Sequence, residues 1–266
     1  VKGWTSLARV ALVAALAIAL APACSLGNGT GTCYGTLDVH DCWAGNFNMH
    51  PDFFAAVPSS QTDALPSSGN DALQIRIQHG GDYTTFSDGL IILVDDAGEV
   101  RGDPTRDGVL RPSLLGQPLV VALPSGVTTP TTPVVPRALQ SIVHATLYLD
   151  ATCRTQNDTL DAMDAVSTNP DGSCSQPDGG DPPLDCSGGG TGTVRGSTIT
   201  FNALFDGNPD ESNTANLLSD ASFHFYLADP REICPGGSGP PPRCRGELFG
   251  TFHFYFQRGR PAQPFP

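Results

Sequence analysis

Lysine is almost missing from this chain: among 266 residues Lys2 is the only one. That absence excludes Schiff-base chemistry, a phosphate-loop lysine and a lysine general base from everything after the first few residues. Glutamate is scarce as well, with 4 against 23 aspartates. Aspartate bonds its own backbone in turns whereas glutamate suits helices, so few long helices are expected. No apolar run after the N-terminal stretch reaches the roughly 18 residues that a membrane-spanning helix needs. The chain has no G-x-S-x-G elbow, no H-E-x-x-H, no C-x-x-C and no G-x-G-x-x-G behind a strand. A Ser–His–Asp triad needs no sequence proximity, so these searches leave it open.

What is present begins with a leader. Lys2 and Arg9 precede the apolar run "VALVAALAIALA" (10–21), and "APAC" supplies small residues for cleavage. Residues 1–23 read as an export signal. Ala21-x-Ala23 suits ordinary signal peptidase, while Leu20-Ala21-Pro22-Ala23-Cys24 is similar to a bacterial lipobox, with its Leu one place early and Pro22 unusual. The favoured reading makes Cys24 a lipid attachment site, and Ser25 after it points to the outer membrane. The chain holds eight cysteines, so lipidating Cys24 leaves seven and one odd thiol. Residues 24–266 carry twelve arginines against 27 acids, a formal −15. Without a basic stripe, that charge argues against nucleic acid and for solubility at an envelope surface.

With 30 Gly and 24 Pro, the remainder reads as one loop-rich β domain over 24–266, opened by a flexible tether at 24–32. "LQIRIQH" (73–79) alternates apolar and polar, the pattern of a half-buried strand. "GLIILVDD" (89–96) is continuously apolar, as in a strand covered on both faces. "PLVVALP" (118–124), "SIVHATLYLD" (141–150) and "GTVRGSTITFNALF" (192–205) continue the series. Leu160, Met163 and Val166 are spaced for one short helix. The expected class is an all-β antiparallel sandwich or open barrel, with long Gly/Pro/Asp-rich loops and at most one or two short helices.

The C-terminal part nearly repeats itself, "SFHFYLADPR" at 222–231 and "TFHFYFQRGR" at 251–260. Phe223, Phe225 and Leu227 form one face of the first strand; Phe252, Phe254 and Phe256 form one face of the second. In an antiparallel hairpin both rows reach one core only if odd numbers oppose even ones. His224 opposite His253 is among the registers that meet this condition. Whatever the register, both histidines then share the opposite face, with Tyr226 and Tyr255. Sequence proximity pairs the bridging cysteines locally: Cys33 with Cys42, Cys174 with Cys186, and Cys234 with Cys244 across the hairpin loop.

Two ligand readings stand beside these packing readings. "DGNPDESN" (206–213) offers oxygens at Asp206, Asn208 and Asp210 for calcium, although no bidentate Glu occupies a twelfth position. His144, His224 and His253 lie on strands and would make an open zinc site if they converged. Turn chemistry explains the first group and ordinary sheet surface the second.

Three stretches, "MHPDFFAAVP", "LQIRIQHGGDYTTFSDGLIILVDD" and "FHFYFQRGRPAQPFP", resemble uncharacterised bacterial lipoproteins. The resemblance spans most of 24–266. It implies a cell-envelope protein and brings no activity, cofactor or catalytic residue with it. The expected function is an exported outer-membrane or cell-surface lipoprotein with a non-enzymatic role, either structural or binding a protein or glycan. The alternatives are a secreted hydrolase with an unrecognised site and a calcium-dependent carbohydrate- or protein-binding module.

Overall fold

The twin strands explain most of the architecture. In the computed structural model Phe223, Phe225 and Leu227 are buried, as are Phe252 and Phe254 on the neighbouring strand. Burying each such ring or branched chain contributes about 1.5–3 kcal/mol, so these rows alone hold two long strands to one core. The structure describes residues 29–39, 42–58, 72–80, 87–105, 108–121, 142–153, 157–169, 174, 193–205, 218–233 and 240–255.

In chain order the strands are β1 (Gly29–Val39), β2 (Trp43–Asn48), β3 (Phe53–Pro58), β4 (Leu73–Gln78), β5 (Gly89–Val94), β6 (Pro118–Val120) and β7 (Val143–Leu149). They continue with β8 (Asp158–Ala162), β9 (Val166–Thr168), β10 (Thr193–Arg195), β11 (Thr198–Ala203), β12 (Leu218–Ala228) and β13 (Gly246–Tyr255). Among the described residues the one α-helix, α1, is Ala97–Arg101, between Asp96, which accepts from the Glu99 amide, and Gly102 at φ 81°. An αL glycine here ends the helix after little more than a turn.

Eleven strands form one open antiparallel sheet, ordered β2-β1-β13-β12-β8-β7-β5-β4-β3, with β11 and β6 branching from β12. β12 makes the branch because it is long. Its Asp220–His224 stretch pairs with β11, its Leu227–Ala228 end pairs with β8, and β13 follows its other edge. The two halves thus face each other across one core, as in a sandwich hinged at β12. Phe54 of β3 reaches across to stack on Phe254 of β13, ring centroids 5.8 Å apart. Gly29 and Gly31 make room for it: a Cβ on Gly29 would lie 2.6 Å from the Phe54 ring.

Several expectations hold. β4 buries Leu73, Ile75 and Ile77 fully, and β11 buries Ile199 and Phe201. β12 and β13 are antiparallel with odd opposite even, as Phe223 opposite Gly250 and Phe225 opposite Leu248. The specific register is different: His253 opposes Asp220, and His224 opposes Phe249. Gly250 accommodates this because the Phe223 ring lies over it; an added Cβ would sit 2.1 Å from that ring. β5 is covered on one face more than two, with Ile91 and Leu93 only half-buried.

Five expectations are corrected. Residues 158–162 are strand rather than helix, because Asp158, Leu160 and Ala162 are buried with period two between β7 and β12. Tertiary pairing outweighs a weak local spacing there. Gly29–Thr32 belong to β1, paired with β13, and not to a tether. Cys42 is bonded to Cys153, and Cys33 is a buried free thiol. The six residues of extended β1 from Cys33 to Val39 separate Cys33 from the turn by roughly 20 Å, far beyond disulfide reach. Cys244 is bonded to Cys174, so it closes neither the hairpin loop with Cys234 nor leaves Cys174 for Cys186. Both sulfurs sit in a second small core with Met163, Val166, Tyr226 and Ala228. Cys24, Cys186 and Cys234 lie outside the described residues, as do Phe256 and the candidate calcium ligands Asp206, Asn208 and Asp210.

Two disulfides require an oxidising environment, which accords with an extracytoplasmic location. No described helix is long and apolar enough to cross a membrane.

Candidate ligand-binding face

Strand alternation that points the phenylalanines inward points a different set outward. Adjacent strands β1, β13, β12 and β11 present Thr30, Thr32 and Tyr34; Phe249, Thr251 and His253; Asp220, Ser222 and His224; and Thr200 and Asn202. Cross-strand pairing aligns them into rungs. Thr30, His253 and Asp220 form one, Thr32, Thr251, Ser222 and Thr200 the next, and Tyr34, Phe249 and His224 a third.

The first two rungs, Thr200 excepted, line an open depression of about 410 Å³ together with Asn202. The Asp220 carboxylate joins two of these side chains. Oδ1 accepts from Asn202 Nδ2 at 2.6 Å, and Oδ2 lies 2.7 Å from His253 Nδ1. Asn202 reaches Asp220 because the register that sets Thr200 opposite Ser222 and Phe201 opposite Ala221 brings the next residue of β11 beside Asp220; the pairing shifts only there, with Ala203 also opposite Asp220. Thr32 and Thr251 hydroxyls meet at 3.2 Å across β1 and β13. The third rung is aromatic: Tyr34 and Phe249 stack with centroids 6.0 Å apart, and His224 stacks on Phe249 at 4.2 Å. Tyr34 is 50% exposed and Phe249 36%. Beyond the other side of the depression stands Tyr255, edge-on to His253.

The expected histidines divide. His224 and His253 share this face, as the parity of the Phe rows required. His144 lies on β7 in the other half of the sheet, nearly buried, 3.2 Å from Asp95. Each ring has its own carboxylate, His224 meeting Glu247 at 2.7 Å and His253 meeting Asp220. Among the described residues no three His, Cys, Asp or Glu side chains are grouped to hold a metal ion. The three histidines therefore do not converge on a zinc site.

Chemically, the face offers hydrogen-bonding side chains beside an aromatic surface. It also places a carboxylate-held imidazole near Ser222, the ingredients of acyl transfer. Among the described residues no hydrogen bond joins Ser222 to His253, and the β12 amides are committed to ladders on both sides. The β12 amides are thus not free to stabilise an oxyanion. Sequence reasoning missed Asp220 and Asn202 altogether. Asp220 stood among many acids, and the pairing of β11 with β12 that brings Asn202 to it leaves no local signal.

Elsewhere on the chain, burial pushes the Cys33 thiol up to about 12, which makes it chemically inert. Burial also raises the Asp161 carboxyl, opposed by the bond from Thr146. Asp229 is partly buried, yet its bonds and charge pairing with Arg231 hold its carboxyl below the ordinary value.

Compared with protein-family models, with curated proteins and with solved structures, the chain matches none.

Proposed function

We propose that this is an exported, lipid-anchored envelope protein whose β1–β13–β12–β11 outer face binds a ligand without transforming it. The observation that carries the reading is the Asn202–Asp220–His253 constellation, a set of polar side chains oriented by one another in an open depression on a rigid sheet. Sites built on strands hold their geometry better than sites on loops. The anchor reading draws support from Cys33. Lipidating Cys24 demands one odd thiol, and Cys33 fills that place where it can do no harm.

The test uses Cys24→Ala, so that no lipid holds the protein, with and without Ser222→Arg. Ser222 is exposed on the sheet, and arginine there fills the depression without disturbing the core. The C24A protein should sediment with envelopes of the source cells and C24A/S222R should stay soluble. Equal partitioning of the two refutes the reading. Acyl chains on the intact mass of the unmodified protein test the anchor separately.

The His253–Asp220 pair beside Ser222 favours a second reading, a hydrolase. Turnover of p-nitrophenyl esters that Ser222→Ala abolishes would carry it over the first.

A further inference from the structure

We infer that the ligand of this face is an uncharged oligosaccharide, a reading that rests on the face being the binding surface. Asp220 uses one oxygen on Asn202 and the other on His253. An ionised carboxylate only accepts, so Asn202 donates through Nδ2 and His253 through Nδ1. That leaves the acceptor Asn202 Oδ1 and the His253 Nε2 for the ligand; among the described residues neither takes another partner. Thr30, Thr32, Thr251 and Ser222 add hydroxyls, which serve as donor or acceptor as required. A fixed amide acceptor, an imidazole nitrogen and adaptable hydroxyls suit a ligand whose own hydroxyls both donate and accept.

Charge narrows the class. Among the described residues no lysine or arginine lines the depression, while Asp220 does. The formal charge of −15 over residues 24–266 repels anions further. Carboxylated and phosphorylated sugars are therefore disfavoured, and neutral polyols remain.

The aromatic rung supplies the other half of sugar recognition. Tyr34 and Phe249 stand on the same face, two residues along β1 and β13 from Thr32 and Thr251. Phe249 is stacked between His224 and Tyr34 and props the Tyr34 ring, whose exposed half offers an apolar surface to the C–H face of a pyranose while the neighbouring rungs bind its hydroxyls. From Phe249 past Thr251 and His253 to Tyr255 the strand covers roughly 20 Å, a span for several linked sugars rather than one. The volume of about 410 Å³ lies within the ordinary range of ligand sites.

The experiment is isothermal titration of the folded protein with gluco-, manno-, galacto-, xylo- and chito-tetraoses, and with tetragalacturonate as the charged counterpart. At least one neutral tetramer should bind, and tetragalacturonate should not. Asp220→Ala and Phe249→Ala should each weaken binding by about tenfold or more, the equivalent of one lost charge-assisted bond or ring contact. Should D220A fail to fold, Thr251→Val, isosteric and exposed, replaces it. The inference is overturned if no neutral tetramer binds, if tetragalacturonate binds as well as they do, or if binding survives both substitutions. Failure of every sugar while S222R still abolishes envelope retention removes the ligand class and keeps the face. Failure of both removes the two readings together.

Discussion

Removing the Cys42–Cys153 bridge by Cys42→Ala with Cys153→Ala should be among the most costly changes to this protein. The bridge closes a loop with a sequence separation of 111, spanning β2 to β7. Loop-closure entropy in the unfolded chain then corresponds to about 5 kcal/mol at 25 °C. Measured values usually fall short of that limit, so a loss of about 3–5 kcal/mol is expected, a large part of the whole stability of a typical domain. Alanine is the choice because Cys153 is 2% exposed, where a serine hydroxyl would add its own desolvation cost. The assay is equilibrium urea unfolding, in which the m-value should also rise as the unfolded chain loses its cross-link. The local pairing of Cys33 with Cys42 would close a loop of only about nine residues, worth about 2.6 kcal/mol in the same treatment. The two pairings also differ in a control. Cys33→Ala alone should leave the Cys42 bridge intact and cost only about 1 kcal/mol of packing. A loss below about 1 kcal/mol from the double alanine variant, or a Cys33–Cys42 peptide in a non-reducing digest, would refute the reasoning.

Cys33 should resist iodoacetamide in the native protein at pH 8 and react fully in denaturant, since burial raises its thiol to about 12; mass spectrometry of the labelled protein checks this. Asp161→Asn should be at least as stable as the parent at pH 7, because the folded value lies above the unfolded one and ionisation of a buried carboxyl opposes folding. Asparagine keeps an acceptor for Thr146, and the difference in Tm should vanish below about pH 3.8, where aspartate is neutral in both states. Gly250→Ala should destabilise by about 1–3 kcal/mol, since its Cβ meets both the Phe223 ring and, at 2.3 Å, the Thr32 carbonyl; a Tm unchanged within a degree would show that the register of β12 on β13 is looser than described.

The features legible in the sequence are those that a strand imposes on its own residues. Alternation in "LQIRIQH" and in the two Phe-His-Phe-Tyr repeats has a period of two, so it announced strands, one buried face, and the parity that places His224 and His253 together outside. The near-absence of lysine and the poverty in glutamate excluded chemistries and long helices without any coordinates. What tertiary structure alone decided are the encounters between distant segments. Cys42 met Cys153, Cys174 met Cys244, and residues 158–162 became a strand because β7 and β12 offered edges on both sides. The candidate site belongs to this second class. Asp220 found His253 because the register slid by four residues from a His–His pairing, and Asn202 found Asp220 through the register of β11 on β12. A period of two constrains which side a residue faces and leaves open how far one strand slides along another. That sliding is settled by ring-on-glycine packing, Phe223 over Gly250, between residues 27 apart in the chain.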